Sequence, residues 1–206
     1  MPMSRSKAWA TAYWGCAAAH GLSHLIDNST LRIVTKTALM PTLAAWCRSH
    51  QAPRLLTAAV LTSAAGDSLM EQQLLLPGMA MYAAAHSCYT TLFFRDRTRT
   101  SWQTALVYGG LGAAVMAALW PGLGRLRGPV AAYSVMLSST AVTSSWYARR
   151  SAVGGALFLF SDALIATELA GHDFPTRSPL VGLTYTAAQY NLAAGVVRHQ
   201  RERSGS

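Results

Sequence analysis

The sequence predicts an all-α fold, a polytopic membrane bundle of eight transmembrane helices. Composition is the first reason: of 206 residues, 51% are hydrophobic and 12% charged, with a mean hydropathy of +0.23, a balance outside that of soluble domains. Length is the second, because apolar stretches recur at the roughly 17 to 25 residues that one helical crossing requires. The placement of charge is the third. A net charge of +9 would suit nucleic acid if the Lys and Arg gathered on one face; here they fall in short clusters between apolar runs, so no nucleic-acid partner is expected.

The first candidate helix, residues 8–26, follows Arg5 and Lys7. Basic residues before an apolar run resemble a signal peptide, with Ala17-Ala18-Ala19 in the place of a cleavage site and Cys16 in that of a lipidated cysteine. More spans follow and nothing resembles a secreted domain, while Tyr13 stands where a lipidation motif has a small aliphatic residue. The segment therefore reads as an uncleaved first span. Residues 31–47 form the second helix, the weakest, being short and holding Lys36. The third, 54–70, carries Asp67, and the fourth, 74–94, carries Tyr82, His86 and Tyr89. The fifth and sixth are 102–120 and 127–147. Asp162 lies in the seventh, 151–170, and Tyr185 and Gln189 in the eighth, 180–197. Chains spanning lipid satisfy their backbone within each segment, which leaves helices as the solution.

The basic clusters orient the bundle, since cytoplasmic loops are richer in Lys and Arg. One side collects the pairs Arg5/Lys7, Arg48/Arg54 and Arg149/Arg150, with Arg95/Arg97/Arg99 and Arg198/Arg201/Arg203; the other holds Arg32, Arg125, Arg127 and Arg177. Both termini are thereby expected in the cytoplasm. The Arg-rich, Ala- and Gly-rich composition points to a GC-rich bacterial genome, and a bacterial cytoplasmic membrane is the expected location. No domain boundary is visible, so residues 1–206 read as a single transmembrane domain. Cys16, Cys47 and Cys88 have no paired spacing and read as small buried hydrophobes. Gly109, Gly110 and Gly112, and then Ser151, Gly154 and Gly155, mark places where helices are expected to approach closely.

An internal similarity suggests a four-plus-four parallel repeat. Gly66-Asp67-Ser68-Leu69-Met70 parallels Ser161-Asp162-Ala163-Leu164-Ile165, and Tyr82-Ala83-Ala84-Ala85-His86 parallels Tyr185-Thr186-Ala187-Ala188-Gln189. Spans three and seven share an orientation, which such a repeat requires.

Ionisable residues inside apolar helices are costly, about 2.5 to 3.5 kcal/mol for a mid-depth Asp on insertion scales, and they face bundle interiors where function resides. Asp67 and Asp162 are the two that packing explains least. Helical spacing puts Asp67 with Glu71, Tyr82 with His86 and Tyr89, and Tyr185 with Gln189, each set on one face. Buried His and Tyr are ordinarily structural, Lys36 can snorkel, and Glu71 and Glu168, near span ends, are expected in solvent. A zinc site can be drawn from His20 and His24 at i, i+4 with His86, but nothing in the spacing brings His86 to them, and no metal or other cofactor is expected. No G-x-S-x-G nucleophile elbow occurs. The paired motifs of aspartyl intramembrane proteases also fail, because Ala64 precedes Ala65-Gly66-Asp67 and Phe160-Ser161 precedes Asp162.

The order Thr35-Lys36, Gly66-Asp67, Gly78, Ala85-His86-x-x-Tyr89, Arg127-x-Pro129-Val130-x-x-Tyr133, Phe160-Ser161-Asp162 and Tyr185-x-x-Ala188-Gln189 resembles the YhhN family of membrane proteins, which includes the lysoplasmalogenases. The resemblance runs from about Thr35 to Gly195 and leaves out the first span. One departure is local: Thr37 follows Thr35-Lys36 where members often have Pro, and Pro41 comes later. The resemblance implies an eight-helix enzyme that hydrolyses the sn-1 vinyl ether of a lysophospholipid to a fatty aldehyde and a glycerophospho-alcohol. That chemistry needs one acid and one base. A carboxyl in an apolar cleft can stay protonated near neutrality while a hydrogen-bonded partner remains ionised. Asp67 and Asp162 are the expected pair, His86 and Gln189 would orient water or carboxylates, Tyr82, Tyr89 and Tyr185 would line the substrate, and Lys36 would meet a lipid phosphate or tune an aspartate. The competing class is a proton-coupled transporter, for which intramembrane carboxylates and repeats are equally apt. Oligomeric state is not legible.

Overall fold

A computed structural model describes residues 5–26, 28–172, 174 and 176–205, apart from the side chains of His24 and Leu25. The described residues are all-helical, with eight α-helices, one 3-10 turn and no strand. The helices are α1 (Arg5–Leu25), α2 (Ser29–Ser49), α3 (Arg54–Glu71), α4 (Leu75–Arg95), α5 (Trp102–Leu119), α6 (Arg127–Tyr147), α7 (Arg149–Leu169) and α8 (Arg177–Ser204), with the 3-10 turn Gly124–Leu126 before α6. Two of them, α5 and α7, are long and apolar enough to cross a membrane by length and composition.

Prolines explain several helix starts. Pro77, Pro129 and Pro179 each occupy the third residue of their helix, and Pro53 caps α3. An N–H is not needed in a first turn, so the fixed proline φ helps there. Pro41 is different, lying inside α2. Helix α8 extends well beyond the predicted 180–197, because hydropathy ends at Arg198 whereas the helix does not: Arg198 Nε donates to Glu202 Oε1 at 2.8 Å across one turn, the spacing that supports a helix in water.

The chain divides into two compact units, Met1–Cys88 with Val196–Ser206, and Tyr89–Gly195. In the first, α2 packs on both α1 and α3, burying Met40, Leu43, Leu56 and Val60. His20 Nδ1 of α1 lies 3.3 Å from Thr35 Oγ1 of α2. At the end of α2, Arg201 Nη2 donates to His50 Nδ1 at 2.7 Å. Partial burial and the Arg201 charge hold the His50 pKa below 6.5, so the neutral ring is favoured in the folded protein. This contribution to stability is complete above the unfolded value and is lost as pH falls from 6.5 through the folded value. A His50→Ala variant should therefore show a flatter decline of unfolding temperature below that pH, a difference readable by thermal melts in detergent.

In the second unit α6 lies against α5 and α7. Gly155 of α7 faces α6 so closely that a Cβ would stand 2.2 Å from Ser144 Oγ and 3.0 Å from Ala141 Cα. Gly154 and Gly195 do the same between α7 and α8, against Leu192 and Ser151. The predicted close approach at Ser151, Gly154 and Gly155 is thus realised. At Gly109 and Gly110 it is not: a Cβ at either would meet nothing within 4 Å, and of that group only Gly112 touches a neighbour, Ser138. These two glycines border open space. Only Gly112 and Leu119 of α5 are buried, while Leu106, Val107 and Leu111 are more than half exposed. An exposed apolar flank of this kind marks a surface suited to a membrane or to a protein partner.

Candidate functional site

In the first unit the site is built on a missing side chain. A Cβ at Gly66 would lie 3.1 Å from two atoms of the Tyr82 ring, so glycine lets that ring rest on α3 one residue before Asp67. From there the Tyr82 hydroxyl donates to Asp67 Oδ1 at 2.6 Å. Gly78 continues the approach, with a virtual Cβ 2.8 Å from Met70 Sδ and 3.5 Å from the Gly66 carbonyl oxygen. Asp67 is 5% exposed and His86, one turn from Tyr82 on α4, is fully buried. The phenol therefore supplies a donor to a carboxyl that water scarcely reaches, as burial of a charge requires.

Lys36 of α2 is held in an ion pair. Its Nζ lies 2.5 Å from Glu71 Oε1, with the two side chains 29% and 34% exposed. Glu71, expected in solvent, is exposed and pairs with Lys36. The reason is positional: Glu71 follows Asp67 by one turn of α3, and α3 packs on α2. Glu168 is likewise paired, with Arg177 Nη1 at 2.6 Å.

The second unit holds a larger polar cluster. Asp162 of α7 accepts a hydrogen bond from the Tyr133 hydroxyl of α6. Gln189 of α8, fully buried, accepts from the Tyr89 hydroxyl at 2.6 Å and donates through Nε2 to the Tyr185 oxygen at 3.2 Å. Tyr185 and Tyr133 lie within electrostatic reach of each other. Aromatic contacts hold these phenols in place: Tyr89 stacks on Phe93 with ring centroids 5.9 Å apart, and Tyr185 meets Phe158 edge-on at 5.5 Å. Ser161 Oγ donates to the Val181 carbonyl at 3.3 Å, tying α7 to α8 beside Asp162.

The predicted residues therefore fall into two groups, Lys36, Asp67, Tyr82 and His86 in the first unit and Tyr89, Asp162, Tyr185 and Gln189 in the second. Tyr133 was missed as a site residue. Its signal was its place in the Arg127-x-Pro129-Val130-x-x-Tyr133 element, but it has no polar neighbour on its own helix face to single it out. Each carboxyl has a phenol donor, an arrangement able to hold a proton or release it in an apolar setting. The side chain of His24 lies outside the described residues. Among the described residues, no three His, Cys, Asp or Glu side chains gather to hold a metal ion.

The model of the YhhN family matches residues 31–196. No solved structure matches the chain.

Proposed function

This chain belongs to the YhhN family, and from that premise we propose that it is a membrane-embedded lysoplasmalogenase, an ether hydrolase spanning the bacterial cytoplasmic membrane eight times. Family membership over most of the chain is the observation that carries the reading. The multi-pass placement draws support from α6, which is rich in hydroxyls yet bonds most of them to its own backbone: Ser139 Oγ donates to the Val135 carbonyl at 2.8 Å and Thr143 Oγ1 to the Ser139 carbonyl at 2.7 Å. Hydroxyls bonded in this way are tolerated away from water.

The substrate is a lysophospholipid with a vinyl ether at sn-1. One aspartate, protonated, delivers its proton to the β-carbon of the C=C–O unit, leaving an oxocarbenium ion at the α-carbon. Water adds to that carbon while the other carboxylate takes its proton. The resulting hemiacetal then breaks its bond to the glycerol oxygen, which regains a proton, releasing a fatty aldehyde and a glycerophospho-alcohol. Asp67 and Asp162 are the proposed pair. Tyr82 and Tyr133 position the carboxyls, His86, Tyr89, Tyr185 and Gln189 orient water or substrate, and Lys36 acts through Glu71. The reaction as written uses only water and protons.

The test is to incubate the purified full chain with vinyl ether, alkyl ether and ester lysolipids and to measure aldehyde. Aldehyde from the vinyl ether alone is the expected result. No aldehyde, with substrate accumulation driven by a pH gradient in vesicles, would replace the hydrolase with a transporter. In the same assay Tyr133→Phe should lower kcat by about tenfold or more, and because a hydrogen bond to a charged group contributes about 1.5 to 3 kcal/mol to stability, the melting temperature should fall by several degrees as well.

A further inference from the structure

The second unit carries a groove of about 590 Å³ that contains none of the proposed catalytic residues. Ala105, Gly109, Gly112 and Ala113 of α5 and Ser134 and Ser138 of α6 floor it. The lining runs along α6 from Ala131 to Trp146, about 22 Å at 1.5 Å per residue. That exceeds half of the roughly 30 Å hydrocarbon core of a bilayer, so the groove is long enough for one acyl chain of one leaflet. Its lining is largely apolar, with Ala113, Met116, Ala131 and Val142 beside Val135, which is 65% exposed.

One end of the groove differs from the rest. Phe94 and Trp146 line it, their ring centroids 6.5 Å apart, and the Trp146 indole donates to Thr104 Oγ1 at 2.9 Å. Aromatic rings with a polar edge belong at the level of lipid headgroups. Two guanidinium groups stand at the same end. Arg97 lies over the Phe94 ring at 4.1 Å and donates to the Phe94 carbonyl. Arg99 donates through Nε and Nη2 to the Ser145 carbonyl at 3.2 and 3.0 Å. Their bonds go to carbonyl oxygens; Asp96 lies between them in sequence but makes no ion pair with either among the described residues, and both arginines are exposed. Each keeps further N–H donors for a phosphate, which arginine recognises well.

We propose that this groove is a docking site for an anionic phospholipid of the cytoplasmic leaflet, one acyl chain lying between α5 and α6 and the phosphate held by Arg97 and Arg99. A negatively charged leaflet attracts basic residues at its surface, and the 95–99 cluster belongs to the side predicted to be cytoplasmic. Gly109 leaves the groove open, whereas Gly112 lets α5 meet Ser138 at its base. The lipid would fill the groove without entering the reaction.

The proposal rests on the membrane placement given above, and the test separates the two. Delipidated full-length protein in detergent is titrated with phosphatidylglycerol or phosphatidylcholine, and bound lipid is counted by native mass spectrometry. Gly109→Leu puts a side chain where a Cβ meets nothing within 4 Å, so it fills the groove without a backbone clash. It should weaken retention of one phosphatidylglycerol by about tenfold, equivalent to 1.4 kcal/mol. Arg97→Gln with Arg99→Gln should weaken retention of both lipids, which share the phosphate, but that of phosphatidylglycerol more, so that the preference for the anionic lipid is lost. Equal phosphatidylglycerol retention by parent and Gly109→Leu would overturn the proposal, as would a dimer that Gly109→Leu dissolves, which would assign the groove to a second copy. Recovery of the protein in the soluble fraction of cells would instead overturn the membrane placement.

Discussion

Asp67→Asn and Asp162→Asn should each lower aldehyde release by about 10² to 10⁴-fold, the range that general acid or base catalysis supplies, in a protein that remains folded. Asparagine keeps the shape of aspartate and an oxygen that can still accept from Tyr82 in one unit and from Tyr133 in the other. It can neither deliver nor take the proton. Removing a buried charge is not a source of instability in itself, because the charge is costly in an apolar setting. Loss of activity with an unchanged melting temperature is therefore specific to the chemistry. Two carboxyls acting as acid and base give the parent a bell-shaped dependence of kcat/KM on pH, and each single variant should lose one arm of it. A variant that keeps more than half of the parental rate would remove its aspartate from the mechanism.

The sequence carried the helices well because lipid-length apolar runs and basic clusters are strong signals. It misjudged their ends where charge and helix part company. Residues beyond Arg198 lie outside any apolar window, yet the Arg198–Glu202 pair and the Arg201–His50 contact keep α8 helical. Within the site, same-face spacing grouped Tyr185 with Gln189, which the structure joins, and Asp67 with Glu71, whose partners are instead Tyr82 and Lys36, respectively. Spacing along one helix cannot show which neighbouring helix supplies a partner. Tyr133 meets Asp162 from α6, and Glu71 turns to Lys36 on α2, both by contacts between helices. Among the described residues, only α5 and α7 are apolar enough to cross a membrane by composition; Arg54, Asp67 and Glu71 weigh against α3, and Ser and Thr lower the average of α6, where the hydroxyls are largely bonded within the helix.

The glycines give the sharpest contrast, and Gly154→Ala set against Gly109→Ala measures it. A Cβ at Gly154 would stand 2.6 Å from the Leu192 amide nitrogen and 2.9 Å from the Ala188 carbonyl oxygen. Backbone atoms cannot rotate aside, so one methyl must push α8 away from α7. Overpacking of this kind costs about 1 to 3 kcal/mol, on the order of 2 to 10 °C in melting temperature for a chain of this size. The displaced stretch of α8 includes Gln189, directly after Ala188, so the Tyr89–Gln189–Tyr185 bridge should open and activity fall along with stability. At Gly109 the same methyl enters open space in mid-helix, and alanine is favoured over glycine there by up to about 1 kcal/mol. Gly109→Ala should therefore melt at or above the parental temperature with full activity. Thermal melts of both variants in one detergent give the two signs; a Gly154→Ala protein as stable as the parent would mean that α7 and α8 are not in backbone contact.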